Sequence, residues 1–333
     1  MRGCPADRKG QRPLAPPSVL PDISPARGEI THADDETNLP PCGGDGRQPR
    51  GGRRTALLSA VFVSTLSTTA HAADLPRVMS MNVCTDQLVL LLAEPDQIAS
   101  LSDLSLDPSL SFLHTDAAPY PKNSGRAEEV FLAKPDLVVT GTFSLHNTTS
   151  LLETLDFAVE EFAYDQSVDT IPGEIRRMGA LIGQDAKAEQ IASTYERDLA
   201  DLRARQCPMK PTAIAYEQNG VVLGEGTLAD SVIDAAGLTN LATELGYSAM
   251  TPLPLEELVS HQPDIVIVSE PMADAPALAD QIAHHPALRA LETSRIGAFV
   301  PRGAWACGGP FVIEAVRALT ELREEIASCD PAR

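Results

Sequence analysis

The sequence predicts an α/β protein of two lobes, each built on a parallel sheet, joined by a single long rigid helix. Three observations predict it. Residues 185–205 read DAKAEQIASTYERDLADLRAR, with no Pro or Gly. Ala188, Ile191, Tyr195, Leu199 and Leu202 recur there at steps of three and four, which sets one apolar stripe along one face. A helix of that length spans roughly 30 Å at 1.5 Å per residue. On either side of it the chain repeats a pattern. EEVFLAKPDLVV at 128–139 and EELVSHQPDIVI at 256–267 each give a Glu pair, a short apolar helix, Pro-Asp and a β-branched run. Proline stops the helix, and the unbroken apolar run suits a parallel strand buried on both faces. Outside these stretches, strands and helices alternate, as parallel sheets require.

Taken in order, residues 1–49 are rich in Pro, Gly, Arg and Asp without apolar periodicity and are expected to be disordered, or a mis-assigned start. Residues 50–54 are basic, 56–66 are apolar but short for a bilayer, and Ala70-His71-Ala72 fits a small-x-small cleavage site. A signal peptide over 50–72, a mature start near Ala73 and export are the expectation. Residues 73–168 are read as the first lobe, 169–207 as bridging helices and 208–333 as the second lobe.

In the first lobe, strand 78–81 runs into Asn82-Val83-Cys84-Thr85-Asp86 and a Leu-rich helix, with Thr85 or Asp86 as its natural cap. No Gly-x-Gly-x-x-Gly follows that strand, so a dinucleotide site is not indicated. Strand 98–101, a polar loop to Tyr120, the first repeated helix and strand 136–140 come next. A helix at 148–155, a strand at 158–162 and a helix at 170–182 complete this part. Beyond Pro208 and Pro211, strand 212–216 opens the second lobe, with 220–224 as its hairpin partner. A helix at 231–236 ends at Gly237. The second repeated helix and strand 264–269 follow. Two short helical pieces lie in 277–291, strand 296–300 comes last, and a Gly-rich loop, 301–310, leads into helix 311–328.

Charge and cysteines narrow the function. Of 26 Lys and Arg and 46 Asp and Glu, residues 1–72 hold nine and seven, leaving 17 and 39 beyond them and a net charge of −22. Such a surface disfavours nucleic acid and anionic membranes as partners. Four cysteines follow Ala73. Cys207 closes the long helix and Cys329 the last one, and a Cys207–Cys329 bond is the preferred staple in an oxidising compartment. Cys84 and Cys307 sit on loops expected to face one another across the cleft. Soft ligation of a metal centre, a disulfide clamping the cleft and two unrelated buried thiols all remain open for them.

Ligands of parallel α/β proteins bind at the carboxyl ends of strands. Those loops carry Asn82, Cys84, Tyr120, Arg126, Thr142 and Phe143 in the first lobe. In the second they carry Glu225, Glu270, Arg302 and Trp305. Trp305, the single Trp, either stacks on a large ligand or plugs the core. Arg126 and Arg302 either grip an anionic chelate or serve structural ion pairs. Tyr120 either binds a haem or iron or simply packs. No three clustered histidines suit a bare metal carrier, and no Gly-x-Ser-x-Gly elbow or phosphate-cradling loop suits an enzyme.

The twin Glu-helix-Pro-Asp-strand segments and the helix between them resemble the periplasmic binding proteins of iron-chelate and vitamin B12 ABC importers, over most of 77–328. Gly125-Arg126-Ala127-Glu128-Glu129 through Lys134-Pro135-Asp136 is the strongest motif. The resemblance implies two Rossmann-like lobes of the class III periplasmic-binding-protein type, with ligand in the cleft. It implies one docking carboxylate per lobe, at Glu128 and Glu256, for an ABC permease dimer in the inner membrane. It further implies a monomer without a cofactor of its own, carrying a ferric siderophore or a corrinoid, with haem third. Asn82 to Gln87 and Trp305 to Pro310 resemble one subgroup of this family. Two other classes fit less well. One is an enzyme on the related two-lobed metal-cluster fold, using Cys84 and Cys307 as ligands. The other is a sensory or structural domain that lost its ligand.

Overall fold

Five parallel strands and their helices come first. The computed structural model describes residues 75–142, 145–163, 167–269, 285–289, 291 and 294–327, all within one compact unit, Thr69–Arg333. Phe143, Glu270, Cys329 and the segments 1–49 and 50–72 lie outside the described residues. The first lobe holds β1 (Val78–Ser80), α1 (Val83–Leu92), β2 (Ile98–Ser102), α2 (His114–Ala117), β3 (Lys122–Asn123), α3 (Ala127–Ala133), β4 (Leu137–Gly141), α4 (His146–Thr154) and β5 (Val159–Phe162). The strands lie in the order β3-β2-β1-β4-β5, every neighbour parallel. The order reverses between β1 and β4, so a crevice opens beyond the carboxyl ends of those two strands.

Two helices lead away from this sheet, α5 (Ile171–Ile182) and α6 (Asp185–Arg203). Gly183 takes the left-handed conformation that ends α5. The 19 residues of α6 span roughly 28 Å. Its buried stripe is Ala188, Ala192, Tyr195, Leu199 and Leu202, close to the spacing read from the sequence. Gly179 lets the two helices approach closely, since a β-carbon there would collide with that of Ala188. On the solvent side Arg176 bridges Glu189 and Glu196 at 2.7 Å. These charges are largely exposed and set helix register more than stability.

The second lobe contains β6 (Thr212–Ala215), β7 (Val221–Leu223), α7 (Leu228–Ala235), β8 (Thr239–Asn240), α8 (Leu241–Glu244), β9 (Met250–Pro252), α9 (Leu255–His261), β10 (Ile265–Ile267), α10 (Pro286–Arg289), β11 (Arg295–Gly297) and α11 (Val312–Ile326). Its parallel sheet has the order β11-β10-β6-β8 and reverses between β6 and β10. The expected hairpin of 220–224 with 212–216 is reduced to one antiparallel bridge, Tyr216 to Val222. β7 instead pairs antiparallel with β9. Pro252 ends β9, and a two-stranded sheet has only edge strands, where a residue without an N–H is tolerated. Of 277–291, only 285–289 and 291 are described.

The repeated motif has one physical reason in both places. Lys134 and Gln262 end α3 and α9 in the left-handed conformation, both at φ 46°. The proline that follows cannot continue a helix. The next residue, Asp136 or Asp264, then accepts a 2.8 Å hydrogen bond from the backbone N–H of Arg77 or Thr212, at the start of the neighbouring strand. Each Pro-Asp pair thus turns the chain and sets strand register at once.

One apolar core runs from the first sheet through α5 and α6 into α7 and α11. Fully buried Arg323 of α11 donates to the carbonyls of Arg205 (2.8 Å) and Ala236 (3.3 Å). It thereby satisfies backbone acceptors just beyond the ends of α6 and α7, which would otherwise be stranded. Cys207, just past α6, is buried and disulfide-bonded. Its expected partner, Cys329, is not among the described residues.

Candidate functional site

Each polar side chain from Asn82 to Gln87 has a defined partner. Asn82 caps α1, its side chain accepting from the N–H of Cys84 at 2.8 Å. The cap falls on Asn82, not on Thr85 or Asp86, which lie inside the helix. Thr85 shares a 2.8 Å hydrogen bond with Ser80. Asp86 accepts from the Ser102 N–H at 3.0 Å and from its hydroxyl at 2.5 Å. Gln87 accepts from the N–H of Phe112 at 2.8 Å. The first turn of α1 therefore holds the end of β2 and the loop that follows. Burial pushes the Asp86 carboxyl up to about 7, against hydrogen bonds from Ser102 and Ser80 and the Lys122 charge, which pull it down.

Segment 301–311 of the second lobe meets this region at three points. Cys307 is disulfide-bonded to Cys84, with 5.1 Å between their Cα atoms. This corrects the metal-ligand reading of the pair, because neither sulfur of a disulfide is a thiolate. Phe112 stacks on Phe311 with centroids 5.4 Å apart. Gly303, at φ +72°, lies so close to the backbone of Ser111 and Phe112 that a β-carbon would sit 2.8 Å from it. Only glycine fits that approach.

Two cavities flank the loop, one at each reversal of strand order. The first, about 230 Å³, lies at the β1/β4 reversal. Asn82, Gly141 and Phe162 line it from the first lobe, and Leu228, Met250 and Gly308 from the second. The Cys84–Cys307 bridge and Ala306 complete the wall between them. No Lys, Arg, Asp or Glu is among its described lining residues. Met250 is 69% exposed there. The second cavity, about 60 Å³, lies at the β6/β10 reversal. Glu217, Ser269, Arg302, Trp305 and, from the first lobe, Ser109 line it. The Ser269 hydroxyl donates to the Glu217 carboxylate. Burial pushes Glu217 up, with that hydrogen bond opposing it.

The structure thus brings Asn82 and Cys84 to one cavity and Arg302 and Trp305 to the other. Trp305 lines that second cavity and also packs partly buried against the core. Tyr120 packs against the first-lobe core. Arg126 is exposed at the start of α3. Thr142 follows β4, its N–H bonded to the Phe162 carbonyl. Glu225 is exposed, its backbone bonded to Tyr247 and Ala249. None of these four lines either cavity. Glu128 and Glu256 occupy equivalent exposed positions, the second residue of α3 and of α9. Among the described residues, no group of three His, Cys, Asp or Glu is placed to hold a metal ion. No helix of the described residues is long and apolar enough to cross a membrane.

Comparison with known proteins agrees with this geometry. A family profile described as periplasmic binding protein matches residues 78–300. A cobalamin-binding protein of Halobacterium salinarum is 27% identical over 211 residues, 61% of this chain and 57% of that protein. The chain thus spans a little over half of that relative's length. The periplasmic heme-binding protein RhuT of Roseiflexus sp. RS-1, in apo form, superposes with a TM-score of 0.57 at 20% identity, over 76% of this chain and 98% of that one. A periplasmic heme-binding protein of Pseudomonas aeruginosa gives a TM-score of 0.60 at 20% identity, over 74% and 92%. At such identities the superpositions show the fold.

The Asp86 carboxyl gives this arrangement a pH signature. The folded chain keeps a proton on Asp86 up to about pH 7, while the unfolded chain releases it near 4. Between those values the native state binds more protons, so stability falls as pH rises, by at most roughly 1.4 kcal/mol per unit. That stability is fully present below about pH 4 and lost by about pH 7. Asp86→Asn, which removes the titration, should flatten this part of a urea-denaturation profile measured from pH 4.5 to 7.5. A wild-type profile no steeper than the variant's would contradict the assignment.

Proposed function

Because the chain belongs to the periplasmic binding protein family, we propose that it captures a metal chelate of corrinoid type between its lobes and delivers it to the permease dimer of an ABC importer in the inner membrane. The observation that carries the cargo class is the cavity at the β1/β4 reversal, whose described lining is mostly apolar, has Asn82 and Thr85 as its polar side chains and is free of formal charge. A corrin ring is apolar on its faces and fringed by amides. Asn82 and the backbone beside Gly141 and Gly308 offer such a rim hydrogen bonds without a buried ion. A ferric catecholate or the propionates of haem would bring negative charge into this wall, at a desolvation cost that nothing there offsets. The relative named as a cobalamin-binding protein supports the corrinoid reading.

A ferric siderophore is the second reading, favoured by Arg302 at the polar cavity. A guanidinium there suits an anionic chelate. The structural neighbours named for heme keep haem as the third. In every case the metal travels as cargo. The chain acts as an exported monomer, matured near Ala73, and Cys207 pairs with Cys329 in that oxidising compartment.

Glu128 and Glu256 serve as docking carboxylates. Their equivalent places on α3 and α9 present one acid per lobe to a partner built from two like subunits. Charge pairs of this kind fix orientation and speed encounter more than they add affinity. The other role open to each is that of a carboxylate favoured by a helix N-terminus, and transport separates the two.

Calorimetric titration of the oxidised 73–333 protein with cyanocobalamin, a ferric catecholate, a ferric hydroxamate and haemin tests the cargo. Cyanocobalamin should bind saturably at micromolar or tighter affinity and more tightly than the anionic ligands. Preference for the catecholate would overturn the corrinoid reading in favour of the siderophore. Glu128→Lys combined with Glu256→Lys should abolish uptake in cells while changing cargo affinity less than twofold. Undiminished uptake by that double variant would remove the docking assignment.

A further inference from the structure

We propose that the Cys84–Cys307 disulfide is itself part of the binding site, a covalent clasp that sets the width of the cleft and so selects the ligand. The proposal rests on the reading of the first cavity as the cargo site. Cys84 and Cys307 are separated by 223 residues and belong to opposite lobes, yet both line that cavity. The bond therefore lies in the wall the ligand would touch and ties the first turn of α1 to the loop before α11. Without it, the lobes are connected through α5, α6, the shared core and the contacts of Gly303 and Phe311 with Ser111 and Phe112. With it, the wall carrying Asn82 and the wall carrying Gly308 are linked directly, beside the bridge.

The surroundings make the clasp stiff. Cys84 cannot drift, because its N–H is held by the Asn82 cap and its helix turn by Asp86 and Gln87. Cys307 cannot drift far, because Gly303 sits against the backbone of Ser111 and Phe112, and Phe311 stacks on Phe112. A slot pre-set in this way spares the ligand the cost of ordering its own walls, and affinity rises with that pre-organisation. The same stiffness excludes ligands thicker than the slot. Reduction by a dithiol breaks the bond by exchange: two electrons and two protons pass to the sulfurs, giving two thiols and an oxidised dithiol. The clasp then opens, and the contacts at Gly303 and Phe112 alone hold the loop.

The test compares the oxidised protein, the protein reduced with dithiothreitol, and the Cys84→Ser/Cys307→Ser double variant. Hydrogen exchange should be at least tenfold faster at residues 82–88 and 303–308 on reduction, with β1 and β10 unchanged. Calorimetry with cyanocobalamin should show at least a tenfold loss of affinity in the reduced protein and in the double variant. If the double variant does not fold, the chemically reduced wild type provides both readouts. Exchange and affinity within twofold of the oxidised protein would overturn the clasp. If the oxidised protein binds neither cyanocobalamin nor haemin, the cargo reading fails, and the exchange measurement still decides the clasp by the same criterion.

Discussion

Burying Thr85, Asp86 and Gln87 behind the Asn82 cap, at the junction of a strand and a helix, sets polar side chains against partners inside the fold, and those partners shape the wall of the first cavity. Unpaired, each buried polar group would cost about 1–3 kcal/mol. Paired, the asparagine caps α1, the threonine bonds Ser80, the aspartate bonds Ser102 and the glutamine bonds Phe112. The loop after β2 is drawn against α1 in consequence. That loop is the surface on which Gly303 and Phe311 of the second lobe rest. Take away the first turn of α1, and the facing wall of the cavity loses its footing.

The two lobes are also joined through their interior. One apolar core passes from the first sheet through α5 and α6 to α11, and buried Arg323 collects carbonyls from the ends of α6 and α7. Close-packed interiors deform little. The continuous core and the Cys84–Cys307 disulfide both join the two lobes.

Much of this architecture could be read from residues whose effect is local. Pro135 and Pro263 stop helices wherever they stand, and Asp136 and Asp264 bond the nearest free strand N–H, so the repeat was visible as a pattern. The stripe Ala188 to Leu202 announced α6 by spacing alone. The cavity was harder to read because its walls carry little chemistry. Gly141, Ala306 and Gly308 line it by virtue of backbone position, and Leu228 and Met250 look like ordinary core or loop residues. Attention to charged and aromatic types led instead to Arg126, Tyr120 and Glu225, which the fold sends elsewhere. Glu217 was missed although a signal existed: it stands one residue past the strand end at Tyr216, where ligands of parallel sheets lie. The pairing of Cys84 with Cys307 depends on two loops brought together over 223 residues, and nothing in the spacing of four cysteines selects it.

The cleft that results has two chemical halves, a charge-free cavity beside Asn82 and a small polar one around Glu217 and Arg302. An amide-fringed ring suits the first, and a single anionic appendage suits the second. A crystal structure of the oxidised 73–333 protein soaked with cyanocobalamin tests this division directly. The account predicts the corrin against Phe162, Met250 and the Cys84–Cys307 bridge, with the phosphate of its nucleotide tail toward Arg302. Corrin density outside the cavity beside Asn82, with that cavity still open, would contradict it.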